Sequence, residues 1–263
     1  MASGAGSKPY MDKVAGLRKT FLDKHYASDK NYYDSRDISR VKSDDEFVHQ
    51  FLAARDGNVG KAHKLMVEAM KWRKEFGIND VTEKDVPEEL YASGYLYTYG
   101  QDKNGACLVF TTVKRFVKGD KAKLLAYKKL FAFTFEKIQR EHPGGRLCLI
   151  NNVKDGNLSH VDNDLNKFIT FLQTTAYPDI LENAYLLHLP KVLEGIWKIF
   201  KGLLGSRLNK KYILSTVEEL SDKYIDKDQL PLEFGGNTFE YKYPPDEKVD
   251  KNSNESAAAE VTS

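Results

Sequence analysis

Apolar residues recur every three or four positions through the first third of the chain. Val14, Leu17 and Phe21 fall on one face of a predicted helix, as do Phe47 and Phe51 further along. The period is clearest in the set Ala62, Leu65, Met66, Ala69, Met70 and Trp72. A glycine follows at Gly77, and this residue type commonly ends a helix. Residues 10–86 are therefore predicted to form a small helical domain.

After Pro87 the pattern changes to short apolar strands that alternate with long helices. The predicted strands are residues 95–99, 106–113, 147–152, 184–189 and 212–215. The predicted helices are residues 122–140, 162–174, with Asp162 as the cap, and 190–204. The Asn104-Gly105 pair favours a hairpin between the first two strands. Residues 87–245 are thus predicted to form an α/β domain on a mostly parallel or mixed sheet.

The two ends of the chain lack an apolar period. Residues 1–9 are mostly small and polar, and residues 246–263 are charged and rich in serine and alanine. Both segments are expected to be disordered.

The helix predicted at residues 190–204 has an apolar face wider than half of its circumference. The apolar residues of its gate segment are Ile196, Trp197, Ile199, Phe200, Leu203 and Leu204. Such a face fits either a core helix packed on the sheet or a lid over a hydrophobic cavity that opens at a membrane. The nearby basic residues are Lys198, Lys201, Arg207 and Lys210. They fit either an anionic bilayer surface or the negative end of the helix dipole.

A second group of apolar residues is predicted to lie around the same region. These residues are Phe110, Leu130, Phe131, Phe135, Leu147, Leu149, Phe168 and Leu172. They could fill a solid core or line a cavity, and periodicity alone does not separate the two arrangements.

Composition and charge narrow the class of function. Forty basic residues against 38 acidic ones give a net charge of +2, which does not indicate nucleic-acid binding. Two distant cysteines, Cys107 and Cys148, match no metal or disulfide pattern and favour a cytoplasmic protein. No uncharged apolar run reaches the length of a membrane span, so any membrane contact is expected to be peripheral and transient.

The common catalytic and cofactor motifs are absent from the sequence. There is no dinucleotide-binding or phosphate-binding glycine loop, no zinc-protease motif and no nucleophile elbow. The six histidines are dispersed. We therefore expect no catalytic residues, no metal and no cofactor other than a bound lipid, and a protein that is not an enzyme.

Several short blocks, in order, resemble the CRAL-TRIO family of lipid-transfer domains. The blocks are residues 51–55, 71–77, 102–105, 177–179, 189–190, 211–214 and 230–236. The match covers roughly residues 44–245, and residues 33–37 are further similar to the lipid-binding part of the motile sperm domain-containing proteins.

The resemblance implies a helical domain, a sheet that forms the floor of a hydrophobic pocket and a mobile gate helix at residues 195–204. It also implies that the lipid headgroup meets Arg55, Tyr177, Asp179 and Lys211, although a packing salt bridge of Arg55 fits equally well. Phosphoinositide-binding relatives carry glutamate where this chain has Asp179.

The expected function is to bind a single lipid or other lipophilic molecule and to transfer or present it between membranes. The alternatives are a lipid-responsive membrane tether or signalling adaptor, with an unknown protein partner, and a lipid hydrolase. The ligand stays open among phospholipids, sterol-like molecules, tocopherol and retinoids.

Overall fold

The computed structural model describes residues 8–237 and 239–244. Residues 1–7 and 246–263, where disorder is predicted, lie outside these ranges. Lys8 and Pro9 fall inside them: the Lys8 Nζ lies 2.8 Å from Glu46 Oε2, and His49 Nε2 donates to the Pro9 carbonyl oxygen at 2.7 Å.

The first third of the chain folds into five α-helices and several short turns of helix. The helices are α1 (Val14–Phe21), α2 (Ser35–Ser43), α3 (Asp45–Ala53), α4 (Val59–Phe76) and α5 (Glu88–Ala92). Side chains cap three of them: Asp34, Asp44 and Asn58 accept backbone N–H groups at the starts of α2, α3 and α4. Helix α4 ends before Gly77, which has a φ of 69° as predicted for a helix stop.

The remainder of the chain is built on a five-stranded mixed sheet. Its strands are β1 (Leu96–Gln101), β2 (Cys107–Thr112), β3 (Leu147–Asn152), β4 (Leu181–Leu187) and β5 (Tyr212–Ser215). They lie in the order β1-β2-β3-β4-β5. The first pair is antiparallel and the other three pairs are parallel, which confirms the predicted mixed α/β fold and its hairpin.

Strand β4 begins earlier than the sequence pattern indicates. Leu181, Glu182 and Asn183 belong to the strand, although two of them are polar, because Leu181 and Asn183 pair with Leu147 and Cys148 of β3 on either side of an irregularity at Glu182. The strand ends at Leu187, before His188 takes a left-handed φ of 58°.

Two different layers cover the two faces of the sheet. Helices α6 (Lys121–Glu141), α7 (Asn163–Phe171) and α8 (Glu194–Leu203) share one apolar cluster with alternate strand residues such as Leu147 and Leu149. The intervening Cys148 and Ile150 point to the other face, where residues 217–234 pack. We call the first side the gate face. A short helix, α9 (Gly205–Asn209), follows α8.

Phe110 was predicted to line the pocket, and this prediction is wrong. Its side chain is buried on the other face of the sheet, against Tyr97 and Phe234. Side chains alternate along a strand, and the pairing of Phe110 with Ile150 sets both on the side away from α8.

Candidate functional site

Helix α8 carries two apolar stripes that face in different directions. The inner stripe contains Trp197 and Phe200, is continued by Leu204 just after the helix, and packs on the gate face of the sheet. The ring centroids of Trp197 and Phe200 lie 5.6 and 5.5 Å from that of Tyr212 in β5. Aromatic pairs at such distances stabilise the packing of α8 against the strand.

The outer stripe of α8 faces away from the sheet. The Ile199 side chain is 70% exposed, Val192 just before the helix is 55% exposed, and Ile196 is half-buried. The side chain of Leu203 lies outside the described part of the structure. The predicted wide face is therefore both a core-packing face and an exposed apolar face.

The basic residues near α8 lie in different surroundings. Lys198 and Lys210 are exposed, and Lys201 Nζ lies 5.7 Å from the centroid of the Trp197 ring. Arg207 instead binds within the chain: it donates to the Ala53 carbonyl oxygen, to Asp56 Oδ1 at 3.0 Å and to Asp179 Oδ1 at 2.7 Å. The guanidinium of Arg207 is therefore not a free membrane contact.

Seven of the eight predicted pocket residues lie together on the gate face. Leu130, Phe131, Phe135, Leu147, Leu149 and Leu172 are buried in one cluster, and Phe168 packs against it. Trp197 and Phe200 pack on the same cluster, so α8 covers it. The enclosed lipid cavity stays a prediction.

A cleft of about 250 Å³ opens beside the carboxyl end of α8, and we call it the headgroup cleft. It is lined by Ala54, Arg55, Gln173, Thr174, Asp179, Leu181, Leu204, Gly205, Ser206, Arg207, Leu208 and Lys211. Three of the four predicted headgroup residues, Arg55, Asp179 and Lys211, thus meet in one place although they are far apart in sequence.

Positive charge dominates the headgroup cleft. Its lining contains three cations and the carboxylate of Asp179, which also accepts from Arg146 Nη2 at 3.1 Å. Burial lowers the pKa of Lys211, and Asp179, whose Oδ1 lies 3.8 Å from the Lys211 Nζ, opposes this shift. Burial and the neighbouring charge of Arg207 lower the pKa of Arg55. An anion entering the cleft would relieve this repulsion between cations.

Tyr177 does not line the headgroup cleft. The side chain is fully buried, and its hydroxyl donates to Glu136 Oε2 at 2.9 Å. The prediction that Tyr177 contacts the headgroup is wrong in this structure, because a buried charge network uses its hydroxyl group.

That network links α2, α4 and α6. Arg73 is fully buried and donates to Asp37 Oδ1 at 2.9 Å and to Glu136 Oε2 at 2.7 Å. Burial would raise the pKa of Glu136, but the charges and hydrogen bonds of Arg73 and Arg140 together outweigh burial and hold that pKa at about 2. The sequence analysis did not predict this network. The feature that indicates it in the sequence is a charged residue, Arg73 or Glu136, on an otherwise apolar helix face.

No helix among residues 8–237 and 239–244 combines the length and apolar character that a bilayer span requires. The same residues contain no group of His, Cys, Asp and Glu side chains arranged to hold a metal ion.

The chain is similar in sequence to several known proteins. The chain is 26% identical over 212 residues to a CRAL-TRIO domain-containing protein of Schizosaccharomyces pombe and 23% identical over 218 residues to Patellin-6 of Arabidopsis thaliana. It is 23% identical over 254 residues to the phosphatidylinositol transfer protein CSR1 of Eremothecium gossypii. These matches cover 79%, 76% and 90% of this chain, but only 20%, 53% and 57% of the three relatives.

The crystal structure of Sfh5 shares the fold, with a TM-score of 0.62 at 15% identity and 91% coverage of both chains. The comparisons do not test the closer similarity of residues 33–37 to the motile sperm domain-containing proteins, which stays a prediction. The family profile described as CRAL/TRIO domain matches residues 91–236, more than half of the chain. The predicted family is confirmed: the chain belongs to the CRAL/TRIO domain family.

Proposed function

We propose that the chain binds one lipid between the sheet and α8 and carries it between membranes without covalent chemistry. The observation that carries this proposal is the double apolar face of α8, with Trp197 and Phe200 turned inward and Ile199 turned outward. The name of the relative CSR1, a phosphatidylinositol transfer protein, supports lipid transfer.

The energetics favour a carrier that can close. Exposing acyl chains to water costs ~0.8 kcal/mol per methylene, so a lipid seldom leaves a bilayer unaided. A chain that covers the lipid during transit removes this cost, and release into a second bilayer returns the lipid to an equally apolar medium. No bond has to be made or broken.

The lipid requires α8 to move. The headgroup cleft of about 250 Å³ is smaller than the pockets of roughly 300–1,000 Å³ that hold drug-sized ligands. Gly205, the first residue of α9, has a left-handed φ of 69°, and no atom lies within 4 Å of the position that a Cβ would take there. We propose that the chain hinges at Gly205 and that α8 swings away from Tyr212.

The outer stripe would then meet the bilayer. Val192, Ile196 and Ile199 would enter the apolar boundary, and Lys198 and Lys210 would lie among anionic headgroups, at about 1 kcal/mol for each cation. The free thiols of Cys107 and Cys148 fit a reducing compartment, so we propose that the protein acts in the cytoplasm and visits membranes transiently.

A matched pair of variants tests the proposal. Ile199→Asp places a charge on the outer stripe, and Leu232→Asp changes a side chain that is 51% exposed in the segment on the other face of the sheet. We expect Ile199→Asp to reduce transfer of fluorescent phospholipid between vesicles at least tenfold, with an unchanged melting temperature, and Leu232→Asp to transfer normally. Equal transfer by the two variants would contradict the gate assignment.

The same exposed stripe also fits a second function, in which the lipid-loaded chain recruits a protein partner. The transfer assay at catalytic amounts of protein separates the two functions, because a carrier moves many lipids per chain and an adaptor retains at most one. Accumulation of a cleaved lipid in the same assay would instead indicate a hydrolase.

A further inference from the structure

A glutamine lies buried at the inner wall of the headgroup cleft with half of its amide unpaired. Gln173 follows α7 and is only 2% exposed. Its Oε1 accepts a hydrogen bond from the Tyr212 hydroxyl at 2.9 Å, but its Nε2 has no partner among the described residues. A buried donor left unpaired costs about 1–3 kcal/mol, and an acceptor that enters the headgroup cleft would remove this cost.

The surroundings of Gln173 restrict what that partner can be. The charged side chains of the cleft lining are Arg55, Arg207 and Lys211, which only donate, and Asp179, whose carboxylate already accepts from Arg207 and Arg146. A group that offers several acceptor oxygens and a negative charge satisfies both the amide and the cations. Phosphate oxygens have this chemistry.

The cleft also has an apolar side. Leu181, Leu204 and Leu208 line it next to the inner stripe of α8, on the same gate face as the predicted pocket residues. A phosphate placed beside Gln173 would therefore have room for an attached apolar chain toward the gate face. This arrangement favours the phosphate of a lipid over a free ion.

Resting on the proposed function, we propose that Gln173 is a specificity-determining residue whose Nε2 donates to a phosphate oxygen of the bound lipid. With the cations of the cleft, it selects anionic phospholipids over lipophilic molecules without phosphate, such as sterols, tocopherol and retinoids. The Tyr212 hydroxyl holds the Gln173 amide in the required orientation, and the Tyr212 ring packs against the rings of Trp197 and Phe200. The amide is therefore positioned by β5, the strand that α8 packs on.

The decisive variant is Gln173→Glu. It keeps the size of the side chain and an oxygen for Tyr212, but it replaces the donor by a carboxylate oxygen that repels phosphate. We expect the affinity for fluorescent phosphatidylinositol, presented in phosphatidylcholine vesicles, to fall at least tenfold, and the affinity for tocopherol to stay within twofold. Gln173→Met removes the amide without adding charge and should produce the same selective loss. It replaces Gln173→Glu in the test if that variant does not fold.

Gln139→Glu is the matched control. Gln139 is also a buried glutamine with one unpaired amide atom, its Oε1, but its Nε2 donates to Gln50 Oε1 at 2.9 Å and it lies in α6, outside the lining of the headgroup cleft. This control should bind phosphatidylinositol as the unaltered chain does. A matching loss in Gln139→Glu would overturn the proposal, as would an equal loss of both ligands or no loss in the Gln173 variants.

Two further arms separate the possible outcomes. Inorganic phosphate that displaces phosphatidylinositol at micromolar concentration would show a free anion as the ligand and would overturn the lipid assignment. If the unaltered chain takes up neither probe, the proposed function itself fails. If it takes up phosphatidylinositol and the Gln173 variants do so equally well, only the role of Gln173 fails.

Discussion

Lys210 and Lys211 are adjacent in sequence but lie in different surroundings. Lys211 lines the headgroup cleft and donates to the Leu181 carbonyl oxygen, whereas Lys210 is exposed. Of the two, only Lys211 is placed to meet a ligand beside Asp179. The resemblance to relatives singled out this lysine, but no local pattern in the sequence distinguishes it from its neighbour.

These two lysines give a matched test at the scale of one residue. Lys211→Met should weaken binding of an anionic phospholipid about tenfold, which is about 1.4 kcal/mol, because a charge-assisted hydrogen bond is lost. Lys210→Met should leave that affinity unchanged. Titration with fluorescent phosphatidylinositol measures both affinities, and an equal effect of the two variants would place the headgroup elsewhere.

At the scale of the element, α8 shows what periodicity can and cannot reveal. The sequence predicted the helix, its wide apolar face and its flanking cations. It could not assign Trp197 to the inside and Ile199 to the outside, because the two stripes lie side by side on the helix and only contact with Tyr212 separates them. Phe110 was misplaced for a similar reason, since the register with β3 decides the face to which it points.

Two glycines test whether α8 also bends near its start, in addition to the proposed hinge at Gly205. Gly195 in α8 and Gly60 in α4 are each the second residue of a helix, and a Cβ at either position meets no close atom. Replacing either glycine by alanine should stabilise its helix by roughly 0.5–1 kcal/mol. We expect Gly195→Ala to slow lipid transfer between vesicles and Gly60→Ala to leave the rate unchanged; a normal rate in Gly195→Ala would argue against bending of α8 near its start.

At the scale of the whole molecule, the Arg73 network joins the helical part of the chain to the sheet part. Its members come from α2, α4, α6 and the loop before Pro178, so no local window of sequence reveals it. The strand and helix order was predictable because each element carries its own period. Buried charges that pair over long distances leave no periodic pattern in the sequence. For that reason Tyr177 was wrongly predicted to contact the headgroup.

Removing one member of the network should destabilise the fold strongly. Arg73→Met leaves Asp37 buried without its cation and leaves Glu136 with Arg140 and Arg40 only, and breaking a buried ion pair typically costs about 3–5 kcal/mol. Urea unfolding followed by circular dichroism measures this loss. Adding Asp37→Asn and Glu136→Gln to Arg73→Met should recover part of it, and a failure to recover would mean that the shape of Arg73 matters more than its charge.

The network also predicts how stability depends on pH. Because the folded-state pKa of Glu136 is about 2, below the ordinary 4.5, its contribution is complete above pH 4.5 and is lost as the pH falls toward 2. Asp37 acts in the opposite sense, since burial raises its pKa and its charge costs stability as the pH rises.

Urea unfolding between pH 5 and pH 2 tests the balance of the two carboxyl groups, using Glu136→Gln as the comparison. We expect the unaltered chain to lose more stability than the variant on acidification. Parallel pH profiles would show that Glu136 does not dominate acid unfolding.

The two covers of the sheet have a practical consequence for engineering. The side that carries Phe110 and Phe234 is closed by residues 217–234, which none of the proposed movements of α8 displaces. Redesign of the proposed lipid pocket can therefore be confined to the side beneath α8, while the opposite side is left intact so that the chain stays folded.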